Sequence, residues 1–237
     1  MRFIPLASSS KGNAYIVQDD GVPPLLLEPG LPIKELRDKL REYGVDLPDL
    51  AGCLVSHEHG DHSKAVKDLL KVGVDCWMSE KTAQALGVLS HHRTHHNFES
   101  LKISGWSIIM FNLEHDAVEP KGFLIGHRSE RLLFIPDTAY VENRFQGITV
   151  IAVECNNISE ILNKNVQQGY IPAVVGKRVR RNHMSLENLI VMLKANDLSQ
   201  CRAIYLMHLS DGNSDERRMI QEIQAATGIP TETCGKR

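Results

Sequence analysis

Residues 57–62 read His-Glu-His-Gly-Asp-His, which places three histidines, a glutamate and an aspartate in six consecutive positions. Imidazole nitrogens and carboxylate oxygens form a donor set that suits zinc, manganese or iron, whereas copper(I) and iron–sulfur clusters favour sulfur ligands. Three readings compete. A helical zinc-protease site needs two histidines four residues apart on one helix face, but the residue four after His57 is Asp61 and Gly60 interrupts the helix, so that reading fails. A polar surface loop is the plain alternative, and it describes His91-His-Arg-Thr-His-His96 well. It describes residues 57–62 poorly, because the apolar run Leu50-Ala-Gly-Cys-Leu-Val55 leads into them as a buried strand. Loops leaving such strands sit at a sheet edge where ligands gather. The third reading is a two-metal site in which His57 and His59 turn one way and Asp61 and His62 the other.

Two coordination spheres need more ligands than one loop supplies. His115 ends the run IIMFNLEH, Asp137 ends RLLFIPD and His208 ends RAIYLMH, so each sits just past an apolar strand, as His57 does. The elements that position them follow from pattern. Strands are expected at 2–6, 14–18, 25–28, 50–55 and 75–78, through 101–113 with a turn at Gly105, and at 122–126, 131–135, 148–154 and 202–207. Helices are expected at 33–43, where Ile33, Leu36, Leu40 and Tyr43 recur at helical spacing, and at 63–71, 80–86 and 158–168. Ser185 is the expected N-cap of a helix over 186–195, and Ser214 of a final helix ending near Ala226. Alternating strands and helices over 237 residues, without repeats or a low-complexity linker, predict α/β layers in a single domain.

Composition narrows the class. A net charge of −2 gives no global attraction to polyanions, so any such binding needs a local basic patch. Five scattered cysteines without a Cys-x-x-Cys pair argue for a reducing, cytoplasmic setting. No secretory h-region and no membrane-length apolar run are expected. Oligomeric state is not legible.

With these residues in place, the sequence resembles the metallo-β-lactamase superfamily, whose signature is His-x-His-x-Asp-His followed by a later His, a bridging Asp and a final His. SSSKGN, HDAVEPKGF, PDTAY, ECNN, GKRVRRNHMSLEN and MHLSDGN further resemble its WalJ-like 5′ exonuclease branch, and the HMS segment is similar to the catalytic-histidine segment of ribonuclease Z. The resemblance implies a four-layer αββα sandwich. It also implies two divalent ions, zinc or manganese with iron as a further candidate: His57, His59 and His115 on the first, Asp61, His62 and His208 on the second, Asp137 bridging. Glu28 stands where the family carries Asp, Ala139 where it carries Gly, and Ser56 where Thr is commoner.

Such a centre supports attack by a hydroxide bridging the metals on a phosphodiester. Asp61 and His183 are the expected catalytic residues, His183 as proton donor to the leaving group. Lys177, Arg178, Arg180 and Arg181 are expected to contact substrate phosphates. Ser9, Ser10, Gly12 and Asn13 could form a backbone nest for a phosphate, and a plain turn fits them equally. Aromatic residues are sparse and offer little base-stacking surface; Trp77, Trp106, Tyr140 and Phe145 are the available candidates, and most of them are expected to pack in the core. The leading expectation is a nucleic-acid phosphodiesterase, a 5′→3′ exonuclease on single-stranded DNA, with polarity and DNA preference resting on the resemblance. The alternative is a small-molecule hydrolase of the same fold, a cyclic phosphodiesterase, lactonase or thioesterase.

Overall fold

Leu25, Leu26 and Leu27 are all fully buried, the mark of a strand covered on both faces. They lie mid-sheet in the first of two units into which the chain divides. This computed structural model describes residues 1–96 and 98–235. The first unit contains residues 1–112 and 117–129, the second residues 113–116 and 130–234.

In the first unit β1 (Arg2–Ser9) and β2 (Gly12–Asp19) form an antiparallel hairpin, and β3 (Val22–Leu27) pairs antiparallel with β2. The sheet continues in parallel through β4 (Gly52–Leu54), β5 (Cys76–Trp77) and β6 (Thr94–His95). Parallel neighbours require crossover segments. These are α1 (Ile33–Arg41), then α2 (Gly60–Ser63) with α3 (Val66–Lys71), then α4 (Glu80–Ala85). Leu36 and Leu40 of α1 and Val66, Leu69 and Leu70 of α3 enter one core with Leu26, Cys53 and Val55. A second, antiparallel run consists of β7 (Ser100–Ile103), β8 (Trp106–Asn112) and β9 (Lys121–His127).

The second unit is built on four parallel strands, β10 (Glu130–Ile135), β11 (Val150–Glu154), β12 (Ala203–Met207) and β13 (Thr231–Thr233), paired in that order. Between β11 and β12 the chain forms α5 (Ser159–Gln167), α6 (Ala173–Asn182) and α7 (Leu186–Lys194), and α8 (Glu216–Thr227) precedes β13. Ser185 caps α7 as expected, accepting from the Asn188 N–H. The final helix is capped one residue later than expected, by Asp215, because the Ser214 hydroxyl is turned back onto the Ser210 carbonyl.

Three further departures concern the site. Gly60 does not end a helix; it opens the short α2, so Asp61 and His62 stand on a helical turn. Helix α6 is not expected from the sequence, since Pro172 precedes it without a side-chain cap and Val174, Val175, Gly176 and Val179 weaken its local propensity. The segment expected as an exposed loop at 91–96 contains β6, whose His95 stacks on Trp77 and bonds Asp75 at 2.9 Å. Among the described residues no helix is long and apolar enough to cross a membrane.

Candidate metal centre

Where β3 ends, Glu28 takes a left-handed backbone conformation with φ 56°, and its side chain is fully buried. One carboxylate oxygen accepts from the Ser56 N–H at 2.9 Å; the other accepts from the Ser56 hydroxyl at 2.9 Å and from His62 Nδ1 at 2.7 Å. Ser56 Oγ also lies 2.8 Å from His57 Nδ1. A hydroxyl has one proton, and here Glu28 takes it, so His57 Nδ1 must be the donor to Ser56. Both histidines therefore carry their proton on Nδ1 and present the Nε2 lone pair, the form in which imidazole binds metal. Burial raises the Glu28 pKa, opposed by the hydrogen bond from His62.

The backbone brings Asp61 to the same cluster through a close approach. A Cβ on Gly30 would sit 1.7 Å from the Asp61 carbonyl oxygen, so only glycine fits there. His59 precedes α2, its carbonyl accepting from Ser63 Oγ at 2.9 Å, and its ring lies 4.7 Å from that of His57. Asn13 is fully buried; its amide nitrogen lies 3.1 Å from His62 Nε2 and 3.4 Å from Asp61 Oδ2, and its oxygen accepts from the Ser9 N–H and the Tyr15 hydroxyl. Ser9 Oγ in turn accepts from the Lys11 N–H. Ser9 and Asn13 thus close the β1–β2 turn and brace the ligand loop, and Asn13 has no side-chain surface left for a phosphate.

The second unit holds a matching arrangement. Glu154, the last residue of β11, is fully buried. Its Oε2 accepts from the Thr138 and Met184 N–H groups at 3.0 and 2.9 Å, and its Oε1 from His183 Nδ1 and His208 Nδ1 at 2.5 and 3.0 Å. His208 follows β12 with φ 53°, and its carbonyl is held by the Asn156 amide. Asp137 lies beside them, 3.3 Å from His208 Nδ1. His115 donates Nδ1–H to the Asn182 carbonyl at 2.7 Å, and its segment is anchored by the Glu114 N–H to Thr138 Oγ1. His115 and His208 therefore also present Nε2. Asp137, Glu154, His183 and His208 each offer a donor atom within 4.8 Å of the others'.

Charge divides this cluster. Burial depresses the His115 pKa. At His183 burial also opposes the charge, but the Glu154 and Asp137 carboxylates outweigh it and the pKa is raised. Glu154 moves the other way: burial would raise it, and the positive charge of His183 brings it below the usual range. His183 Nδ1 and Glu154 Oε1 lie 2.5 Å apart, an ion pair whenever the imidazole is protonated. Glu28 and Glu154 are saturated with hydrogen bonds, so the candidate metal donors are the histidine Nε2 atoms and the Asp61 and Asp137 oxygens. Nitrogen and oxygen donors backed by carboxylates fit a divalent cation of the zinc or manganese type.

A family model described as a beta-lactamase superfamily domain matches residues 25–209. The chain belongs to that superfamily. Among its relatives, "Exodeoxyribonuclease WalJ" of Streptococcus pneumoniae is 31% identical over 225 residues, covering 88% of this chain and 81% of the relative. "Exodeoxyribonuclease YycJ" of Bacillus anthracis is 29% identical over 230 residues, covering 91% and 85%. The crystal structure of the metallo-β-lactamase fold protein YhfI from Bacillus subtilis superposes with a TM-score of 0.71 at 14% identity, covering 99% of this chain and 96% of that one. The fold class expected from the sequence, the α/β metallo-β-lactamase sandwich, is the one found, and the chain is a metal-dependent hydrolase.

The departures from the superfamily pattern are accommodated. Glu28 reaches Ser56 and His62, and Ser56 keeps the hydroxyl that a threonine would supply. Ala139 lies outside the left-handed region that would require glycine, and its N–H bonds the Glu114 carbonyl. The basic run falls on α6, where helical spacing separates its members. Lys177, Arg178 and Arg181 line a cleft of about 360 Å³ with Asp116, Val174 and Asn182. Arg178 bonds Asp116 at 2.8 Å, whereas Arg180 turns to Asn163 of α5 at 2.6 Å and does not line that cleft. Glu154 is a site residue that the sequence does not single out: there it is one more position of a buried strand, the first residue of ECNN.

Proposed function

We propose that the chain is a dinuclear phosphodiesterase that removes nucleotides from the 5′ end of single-stranded DNA. In this reading His57, His59 and His115 would hold one divalent ion and Asp61, His62 and His208 the second, with Asp137 available to both; zinc and manganese are the candidates. The observation that carries the reading is His183. Its Nδ1 lies 2.5 Å from Glu154 Oε1 and 3.9 Å from Asp137, and it has no ligand role in the assignment. A histidine so held is fixed in orientation with Nε2 directed away from Glu154, where a proton can be passed to a leaving group. The cleft of Lys177, Arg178 and Arg181 directly precedes it in sequence and supplies local positive charge on a chain of net charge −2. Two relatives named exodeoxyribonucleases support the substrate class.

When bound, the two cations lower the pKa of a water toward neutrality and offset charge developing on the phosphodiester oxygens. Asp137 orients the attacking water by hydrogen bonding. Lys177, Arg178 and Arg181 hold neighbouring phosphates, which fixes the register of the strand without reading its bases. His183 keeps Nδ1–H on Glu154 and gives its Nε2 proton to the leaving 3′-oxygen as the P–O bond breaks. Glu154 stays ionised and stabilises the imidazolium before transfer.

The test is digestion of a 5′-phosphorylated single-stranded oligonucleotide by manganese- or zinc-loaded protein, beside Asp61→Ala. Stepwise loss of nucleotides from the 5′ end, absent in the variant, is the expected result. Intact DNA with metal bound would overturn the reading and direct the search to cyclic phosphodiesters and small esters.

A further inference from the structure

Beyond the ligand clusters, the second unit carries another cleft, of about 350 Å³, lined by Tyr140, Val141, Arg144, Asn188, Val191 and Met192, with Ala195 at its end. Two segments build it, and both leave from the Glu154 cluster. Tyr140 stands three residues after Asp137, and α7, which supplies Asn188, Val191 and Met192, begins three residues after His183. The walls are fixed. Thr138 Oγ1 donates to the Tyr140 carbonyl at 2.8 Å, the Phe145 N–H donates to Asn196 Oδ1 at 2.8 Å, and the Asn188 amide reaches the Ala139 carbonyl at 3.4 Å. Tyr140 and Val191 are nevertheless 46% and 69% exposed. Of the four aromatic candidates read from the sequence, Trp106 is fully buried, Trp77 is stacked on His95 and Phe145 is half-buried. Tyr140 alone of the four is an exposed ring.

We propose that this cleft seats one unstacked nucleobase of the strand being degraded, with Tyr140 as the stacking face, buried Met192 as the floor, exposed Val191 on the rim and Arg144 at the mouth for an adjoining phosphate. The proposal rests on the nuclease reading above and deepens it, because it names what makes a substrate acceptable: a base free of its stack. Size favours this occupant. The volume is at the low end of ligand pockets, about 300–1,000 Å³, which suits one ring system. A stable protein partner needs about 800 Å² on each side, far more than two exposed apolar side chains provide. Composition agrees, since stacking on an aromatic face beside a cation is the usual way to hold single strands without reading sequence. A paired base inside a duplex has both faces covered by its neighbours, and offering one to Tyr140 requires unstacking. On this account preference for single strands arises in the cleft and not at the metals.

The test compares wild type, Tyr140→Ala, Tyr140→Phe and Val191→Asp, all metal-loaded, on a 5′-phosphorylated single-stranded oligonucleotide. The same series is run on oligonucleotides with one abasic residue stepped along the first six positions. Tyr140→Ala should raise KM roughly 5- to 150-fold, the range for removing one base–aromatic stack, while kcat changes little. Tyr140→Phe, which keeps the ring face, should restore wild-type KM, and Val191→Asp should weaken binding without lowering the melting temperature. In wild type, one abasic position should reproduce the KM of Tyr140→Ala, and Tyr140→Ala should be indifferent to that same position. Unchanged KM in Tyr140→Ala on intact DNA, or abasic and Tyr140→Ala effects that simply add at every position, would overturn the assignment. Failure of the underlying reading looks different: wild type itself would leave every oligonucleotide intact while hydrolysing a small diester such as bis(p-nitrophenyl) phosphate.

Discussion

Glu28 and Glu154 make an instructive pair. Both are fully buried carboxylates at the end of a strand, each with both oxygens occupied by hydrogen-bond donors, and each fixes histidine tautomers. What they hold differs. Glu28 supports His62 directly and His57 through Ser56, both of them proposed ligands. Glu154 supports His208, a proposed ligand, and His183, which is not one. Their pKa values diverge for the same reason: burial dominates at Glu28 and raises it, whereas the charge on His183 overcomes burial at Glu154 and lowers it. One carboxylate braces proposed metal ligands alone, and the other holds a proposed ligand and the proposed proton donor on a single oxygen, Oε1, while Oε2 takes the Thr138 and Met184 N–H groups. Each cluster also contains one non-glycine residue in the left-handed region, Glu28 and His208. Such conformations cost of order 1–3 kcal/mol and persist where the surroundings over-determine them.

The sharpest way to break this comparison is at His183. His183→Ala should lower kcat by about 10²- to 10⁴-fold, the range for removing a general acid, with metal content unchanged. Parallel loss of metal would show that His183 is a ligand and erase the contrast. Next in size are the carboxylates themselves. Glu28→Gln should weaken metal binding by about 10- to 100-fold, as removal of a carboxylate partner from a ligand histidine does, and excess metal should recover its kcat. Glu154→Gln should weaken metal binding to a similar degree, yet saturating metal should leave kcat depressed. Equal recovery of both variants, followed by metal titration under turnover, would make the two glutamates equivalent. The smallest effects are on α6. Arg178→Ala with Arg181→Ala should raise KM and flatten its dependence on salt, by about one unit of slope for each phosphate that is no longer neutralised. Arg180→Ala, at a side chain bonded to Asn163, should leave the slope unchanged.

Those variants also separate what is legible in the sequence from what is not. The ligand motif and the strands leading to it can be read because a buried strand is a continuous apolar run and a metal loop is a dense cluster of donors. The last residues of such strands are harder. Nothing in the residues of β11 distinguishes Glu154 from a solvent-facing strand-end residue, because its inward direction depends on partners 16 to 54 positions away. Likewise Asn13 reads as a turn residue in a polar run, and only its approach to Asp61 and His62 reveals it as a brace. Helix α6 is hidden because its valines and glycine give weak local propensity; packing of Gly176 against Val166 of α5 supplies what propensity lacks. Without that helix the basic run reads as one patch, whereas the helical turn directs Arg180 away from its neighbours.

On the proposed assignment the two carboxylate-braced clusters serve two cations. This is tested most directly by stripping the protein with chelator and titrating manganese or zinc back, reading bound metal and activity together. Two equivalents per chain are expected in the wild type, with activity saturating at the second, and about one equivalent in His208→Ala. A wild type that saturates in both binding and activity at a single equivalent, or binds none, would contradict it.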